Sequence, residues 1–132
     1  MKLTLKAFSF VLLTVVFLAG CRSTAPIMQV KDTVVSNSLN KEDVRTAIIE
    51  AASKRGWVIS EPSEDELHAT LNIRTHQAIV RIPYSADSYS IIYVDSSNLD
   101  KKNNRIHPSY NSWVTNLNND INALLQIERL SR

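Results

Sequence analysis

Leu67, Ala69, Leu71 and Ile73 alternate with His68, Thr70, Asn72 and Arg74. A period of two over eight residues leaves a strand with one buried and one wet face. Ala78, Val80 and Ile82 repeat the pattern, and Tyr89-Ser90-Ile91-Ile92-Tyr93-Val94 follows. Register is then a matter of arithmetic. A tight turn at Thr75-His76 pairs Ile73 with Ala78, Leu71 with Val80 and Ala69 with Ile82, which puts every apolar side chain on one face. Tyr84 against Tyr89 across Ser85-Ala86-Asp87-Ser88 likewise aligns Ile82 with Ile91 and Val80 with Tyr93. A shorter strand, Trp57 to Glu61, precedes them and is expected to stop at Pro62. The chain is thereby committed to an antiparallel meander of four strands, one face of which needs a cover. Ile79, Ile92 and Val94 fall on the opposite face, where apolar side chains have no such cover.

The cover comes from two helices. Asn40 is placed to cap the first, with Asp43 three residues later and Leu39 and Val44 at the spacing of a hydrophobic staple. Val44, Ala47, Ile48, Ala51 and Ala52 make one stripe, and Gly56 fits a left-handed position after the last turn. The second helix starts near Pro108, with His107 or Ser109 at its cap. Tyr110, Trp113, Val114, Leu117, Ile121, Leu124 and Leu125 form its apolar stripe. Packing both stripes on one sheet face predicts a two-layer α+β sandwich in the order α-β-β-β-β-α. The domain is expected over 40–128, with 129–132 as a tail.

The first twenty residues do not fit that domain. Lys2 and Lys6 precede a run from Ala7 to Leu18 that is almost wholly apolar, and small residues close it. A charged start, a short apolar core and small residues at the end describe a secretory signal peptide; a spanning helix needs about 20 apolar residues. Leu18-Ala19-Gly20-Cys21 resembles the lipobox of bacterial lipoproteins. That resemblance implies cleavage before Cys21 and acylation of its thiol and new amine, and two or more acyl chains hold a protein on a membrane stably. Cys21 is the one cysteine of the chain, and an unpaired cysteine in an exported protein calls for an explanation of this kind. In enteric lipoproteins Asp after the cysteine favours the inner membrane, so Arg22 resembles the outer-membrane class. Residues 21–39, rich in Ser, Thr and Asn, read as the lipidated N-terminus and a flexible tether.

Charge narrows the partners. Fifteen basic residues face thirteen acidic ones, but removal of Lys2 and Lys6 with the signal makes the balance even. A nucleic-acid footprint is therefore not expected. His68, His76 and His107 share no ligand spacing, and no second Cys completes a zinc set, so neither metal nor cofactor is expected. Gly56 is the only glycine after Gly20, which leaves no Gly-x-Ser-x-Gly elbow and no phosphate loop. No catalytic residue is assigned.

More distinctive are Tyr84-Ser85-Ala86-Asp87-Ser88-Tyr89-Ser90, Asp95-Ser96-Ser97-Asn98-Leu99 and Ile106-His107-Pro108-Ser109-Tyr110-Asn111-Ser112-Trp113. They resemble segments of a group of small, largely uncharacterised lipoproteins of Gram-negative bacteria, over the chain from about Lys41 onward. The resemblance implies a localisation and a fold, and no activity. Physically, Tyr84, Tyr89, Tyr93, Tyr110, His107 and Trp113 could converge as a contact surface or simply close the core. The expectation is a non-enzymatic interaction module in the envelope, meeting a protein partner, or a second copy of itself, through Ile79 and Ile92 or through the tyrosine-rich hairpin. The alternative is a cleft for a small ligand or cell-wall glycan lined by Tyr84, Tyr89, His107 and Trp113.

Overall fold

The computed structural model describes residues 23–132. Leu18, Ala19, Gly20 and Cys21, with the signal and lipidation expectations that fall on them, lie outside the described residues. Among the described residues the protein is α+β: a five-stranded antiparallel sheet, a separate two-stranded ribbon and two helices. The expected meander is present as β3 (Val58–Ser63), β4 (Glu66–Ile73), β5 (His76–Pro83) and β6 (Ser88–Ser97), neighbours in that order. Helix α1 (Lys41–Lys54) precedes it and α2 (Pro108–Leu130) follows.

Helix α1 starts where its orphan donors find partners. The Asn40 side chain accepts from the Asp43 N–H at 2.9 Å, and the Asp43 carboxylate accepts from the Asn40 N–H at 2.9 Å, a reciprocal capping box. It ends in a Schellman turn. Gly56 N–H donates to the Ser53 carbonyl and Trp57 N–H to the Ala52 carbonyl, with Gly56 at φ +85°, a value that a side chain would strain. Trp57 is thereby folded back into the core. Helix α2 opens on Pro108, and the His107 Nδ1 accepts from the Ser109 N–H at 3.1 Å.

Both helical stripes and the inner sheet face form a single core. Val44, Ile48, Leu67, Ala69, Val80, Ile82, Ile91, Val114, Leu117 and Ile121 are fully shielded from water. Each Val, Leu or Ile among them contributes about 1.5–3 kcal/mol of transfer free energy. The β5–β6 pairing follows the sequence reading, Tyr84 opposite Tyr89 and Val80 opposite Tyr93, and a register shift follows at Ile79.

Four details differ from the sequence reading. The β4–β5 turn is Arg74-Thr75, not Thr75-His76, so Leu71 faces Ala78 and Ala69 faces Val80. A slip of two keeps every apolar residue on its face, and Arg74 takes the left-handed conformation (φ 55°) without Gly or Asn. Strand β3 continues through Pro62 because it is an edge strand, where a missing donor costs no ladder bond. Residues 23–39 are not a flexible tether. β1 (Ala25–Pro26) pairs with β7 (Arg105–Ile106), and β2 (Val30–Val34) adds to the sheet beside β6. Nor is 129–132 a loose tail: α2 runs to Leu130, and Arg132 pairs with Asp43 at 2.5 Å and with Glu128 at 2.9 Å.

The N-terminal segment is held by polar contacts rather than by hydrophobic periodicity. Asn111 donates to the Pro26 carbonyl at 2.9 Å and accepts from the Met28 N–H at 2.9 Å. Ile27 N–H donates to the Asn104 carbonyl, and the Arg105 guanidinium grips Thr24 through both its hydroxyl and its carbonyl.

Candidate functional site

The aromatic residues singled out in the sequence do not form one surface. Tyr89 is 1% exposed and Tyr110 fully buried. Tyr84 is buried too, with Lys41 Nζ above its ring at 5.5 Å. These three close the core and present no contact face, a correction to the tyrosine-rich hairpin as a surface. Its cause is parity, since Tyr89 shares the inner face with Ile91. Tyr93, His107 and Trp113 keep part of their surface in solvent. The Tyr93 ring meets Tyr110 edge-on at 5.6 Å, and its hydroxyl is 2.8 Å from the Ser96 Oγ.

The proposed glycan cleft is not assembled either. Strand β5 runs from His76 to Pro83, roughly 26 Å at 3.3 Å per residue. Tyr84 lies past one end of it, while His107 and Trp113 gather near His76 at the other, with the His76 and Trp113 rings 6.4 Å apart. The depression at that end, about 300 Å³, is lined by Ser23, His76, Asn98, Asp100 and His107. Its polar groups largely brace the loop: the His76 Nδ1–H donates to the Asn98 carbonyl at 2.6 Å, and the Asn98 amide donates to the Thr75 hydroxyl at 2.7 Å. Asn98 itself sits at φ 57°, a conformation Asn tolerates better than most residues.

A larger and more open hollow, about 640 Å³, lies at the far end between α1 and the β3–β4 turn. It is lined by Lys41, Glu42, Arg45, Glu61, Ser63, Glu64 and Tyr84. Here cations and carboxylates satisfy one another: Lys41 with Asp65, and Arg45 with Glu61 and Glu42. The hydrogen bond to Asp65 raises the Lys41 pKa above its ordinary value. Among the described residues no group of three His, Cys, Asp or Glu side chains is arranged to hold a metal ion, and no helix is long and apolar enough to cross a membrane.

The outer sheet face carries Ile79 and Ile92, both half-buried, and Val94, 43% exposed. The register brings Val58, 66% exposed, into line with Thr70 and Ile79. Beside this apolar strip the Glu66 carboxylate joins His68 Nε2 at 2.8 Å and Arg81 Nη1 at 3.3 Å. Neither helix reaches this face, because both pack on the inner one.

Three contributors escaped the sequence reading. Val58 joined the strip only once β3 had a register. Asn111 and Arg105 read as surface polar residues, yet they fasten the N-terminal segment. The Asn-rich polar side of α2 hid Asn111, which holds that segment.

No protein-family model matches the chain, and neither a curated protein nor a solved structure is significantly similar to it.

Proposed function

We propose that the protein is a lipid-anchored envelope lipoprotein whose domain faces the periplasm as a non-enzymatic interaction module. The anchor reading rests on Leu18-Ala19-Gly20-Cys21 behind a charged and apolar start, and Arg22 favours the outer membrane. The resemblance to small Gram-negative lipoproteins agrees with both. The interaction reading is carried by one observation, the apolar strip of Val58, Ile79, Ile92 and Val94 on the sheet face that the helices leave uncovered. Such a strip with a charged margin suits contact with another protein surface.

Two measurements test the proposal. Intact mass of the full chain from a Gram-negative envelope should show Cys21 acylated and residues 1–20 removed; an unmodified Cys21 refutes the anchor. Photo-crosslinkers at Ile79 and Ile92 should each capture the same envelope protein or a second copy of the chain. Capture that survives Val58→Lys and Val94→Lys unchanged removes the strip from consideration.

A further inference from the structure

Ser23 is the first described residue, and it is two positions from Cys21. Ser23 lines the hollow formed by His76, Asn98, Asp100 and His107. Thr24 cannot swing away from the domain. Arg105 Nε donates to its hydroxyl at 3.1 Å and Nη2 to its carbonyl at 2.5 Å, while Ala25–Pro26 is paired with β7. The described chain therefore begins at one end of the domain, where the Arg74-Thr75 turn and the loop 98–105 lie together.

That end is basic. It carries Arg74, Lys101, Lys102 and Arg105, against Asp100 and, further along β6, Asp95. Among the described residues no carboxylate lies within ion-pair distance of the four cations, whereas at the far end Lys41, Arg45 and Arg132 each meet one. The far end is the acidic pole, with Glu42, Glu61, Glu64, Asp65 and Glu66. Strand β4 separates the two by eight residues, roughly 26 Å. Since that exceeds the Debye length of about 8 Å at physiological salt, the poles act separately on a nearby charged surface. The basic loop is also held in shape: Lys102 and Arg105 exchange backbone hydrogen bonds at 3.0 Å, and Lys101 Nζ sits 5.7 Å from the Tyr93 ring centroid.

We infer that the end formed by the Arg74-Thr75 turn and the loop 98–105 docks on the anionic headgroups of the membrane that holds Cys21. The inference rests on the lipoprotein reading above and adds an orientation to it: basic end against the bilayer, acidic hollow turned outward, uncovered sheet face standing upright beside the membrane. A basic residue near an anionic leaflet shifts partitioning about fivefold. The acyl chains supply the attachment; the charges choose which side of the domain lies down.

Full-chain protein purified from a Gram-negative envelope, its mass determined, is reconstituted into phosphatidylcholine vesicles with and without phosphatidylglycerol. Backbone amide exchange is followed over 74–76 and 98–106, with 61–66 as the internal reference. Exchange in the first two segments should slow several-fold on the anionic vesicles alone and leave 61–66 unchanged. The protection should vanish at about 0.5 M salt, where the Debye length falls to roughly 4 Å, and in the pair Lys101→Glu and Lys102→Glu. Because the salt series uses the unaltered chain, it decides the matter even where the variant misfolds. An acylated protein with equal exchange on both vesicle types, or with protection at 61–66 instead, overturns the docking and leaves the anchor standing. An unacylated Cys21 overturns both.

Discussion

Tyr89 and Tyr110 are both buried between the sheet and α2, yet their hydroxyls meet opposite fates. The Tyr89 oxygen lies 2.6 Å from Asn118 Oδ1 and 2.8 Å from Asn122 Oδ1, one helical turn apart. One phenolic hydrogen serves one acceptor well, and rotation of the other amide lets its NH₂ donate to the phenol. The Tyr110 hydroxyl is buried with no hydrogen-bond partner among the described residues; its ring instead meets the edge of Tyr93. The C-terminal half of α2 is therefore fixed to the sheet by apolar packing plus a polar latch, and the N-terminal half by packing alone. Position on the helix explains the difference. Asn118 and Asn122 are four apart and share a face, whereas the Asn near Tyr110, Asn111, is occupied with Pro26 and Met28.

The harshest way to break the comparison removes what both halves share. Leu117, fully buried on α2 between Tyr110 and Asn118, is expected to cost about 2–5 kcal/mol as Leu117→Ala, read by denaturant unfolding. Two separate unfolding transitions would mean that the halves are not one core. Alkali comes next. Burial pushes the Tyr89 phenol up to about 12 from an ordinary value near 10. A raised acid is protonated in the fold, so its contribution is intact below pH 10 and is lost as pH rises to about 12. Two pH units correspond to about 2–3 kcal/mol. Burial raises Tyr110 as well, with a smaller addition from Tyr93, so Tyr89→Phe should lessen the alkaline loss without abolishing it. An unchanged slope in that variant contradicts the assignment.

At neutral pH, Tyr89→Phe is expected to cost about 1–2 kcal/mol, since the two amides lose a buried partner. Tyr110→Phe should be neutral or stabilise by up to about 1 kcal/mol, because a hydroxyl without a partner is removed. Equal losses in the two variants would erase the contrast between the halves. The smallest effect is expected from Arg55→Ala. Its hydrogen bond holds the Asp120 carboxyl below the usual carboxylate range, so the deficit should shrink as acid protonates Asp120. A deficit that grows in acid would place the role of Arg55 elsewhere.

The architecture was legible wherever a residue pattern had a single physical solution. Asn40 and Asp43 announced α1, Gly56 its end, and the alternation from Leu67 to Ile82 the paired strands. The β4–β5 turn was misplaced by one residue, and the register by two, because Arg74 adopts a conformation usually advertised by Gly or Asn. Strand β2 stayed hidden because Val30-Lys31-Asp32-Thr33-Val34 has an irregularity at Asp32 (φ 49°) that breaks its alternation. Of the surface residues, Ile79 and Ile92 fell on the uncovered face as their parity required. Tyr84, Tyr89 and Tyr110 could equally have lined a surface or a core, and only the position of α2 distinguishes these. The basic end was illegible altogether. Its four cations are scattered from Arg74 to Arg105, and nothing short of the folded chain brings Thr24 to them.

Strand β2 has a consequence for the order of assembly. Val30 pairs with Ile91, so β2 needs a partner some sixty positions later in the chain. The hairpins between Val58 and Ser97 close over short distances and need not wait, whereas this edge adds a long loop closure. The sheet can thus exist before the N-terminal strand joins it, and the final act of folding draws the body of the protein toward its own beginning.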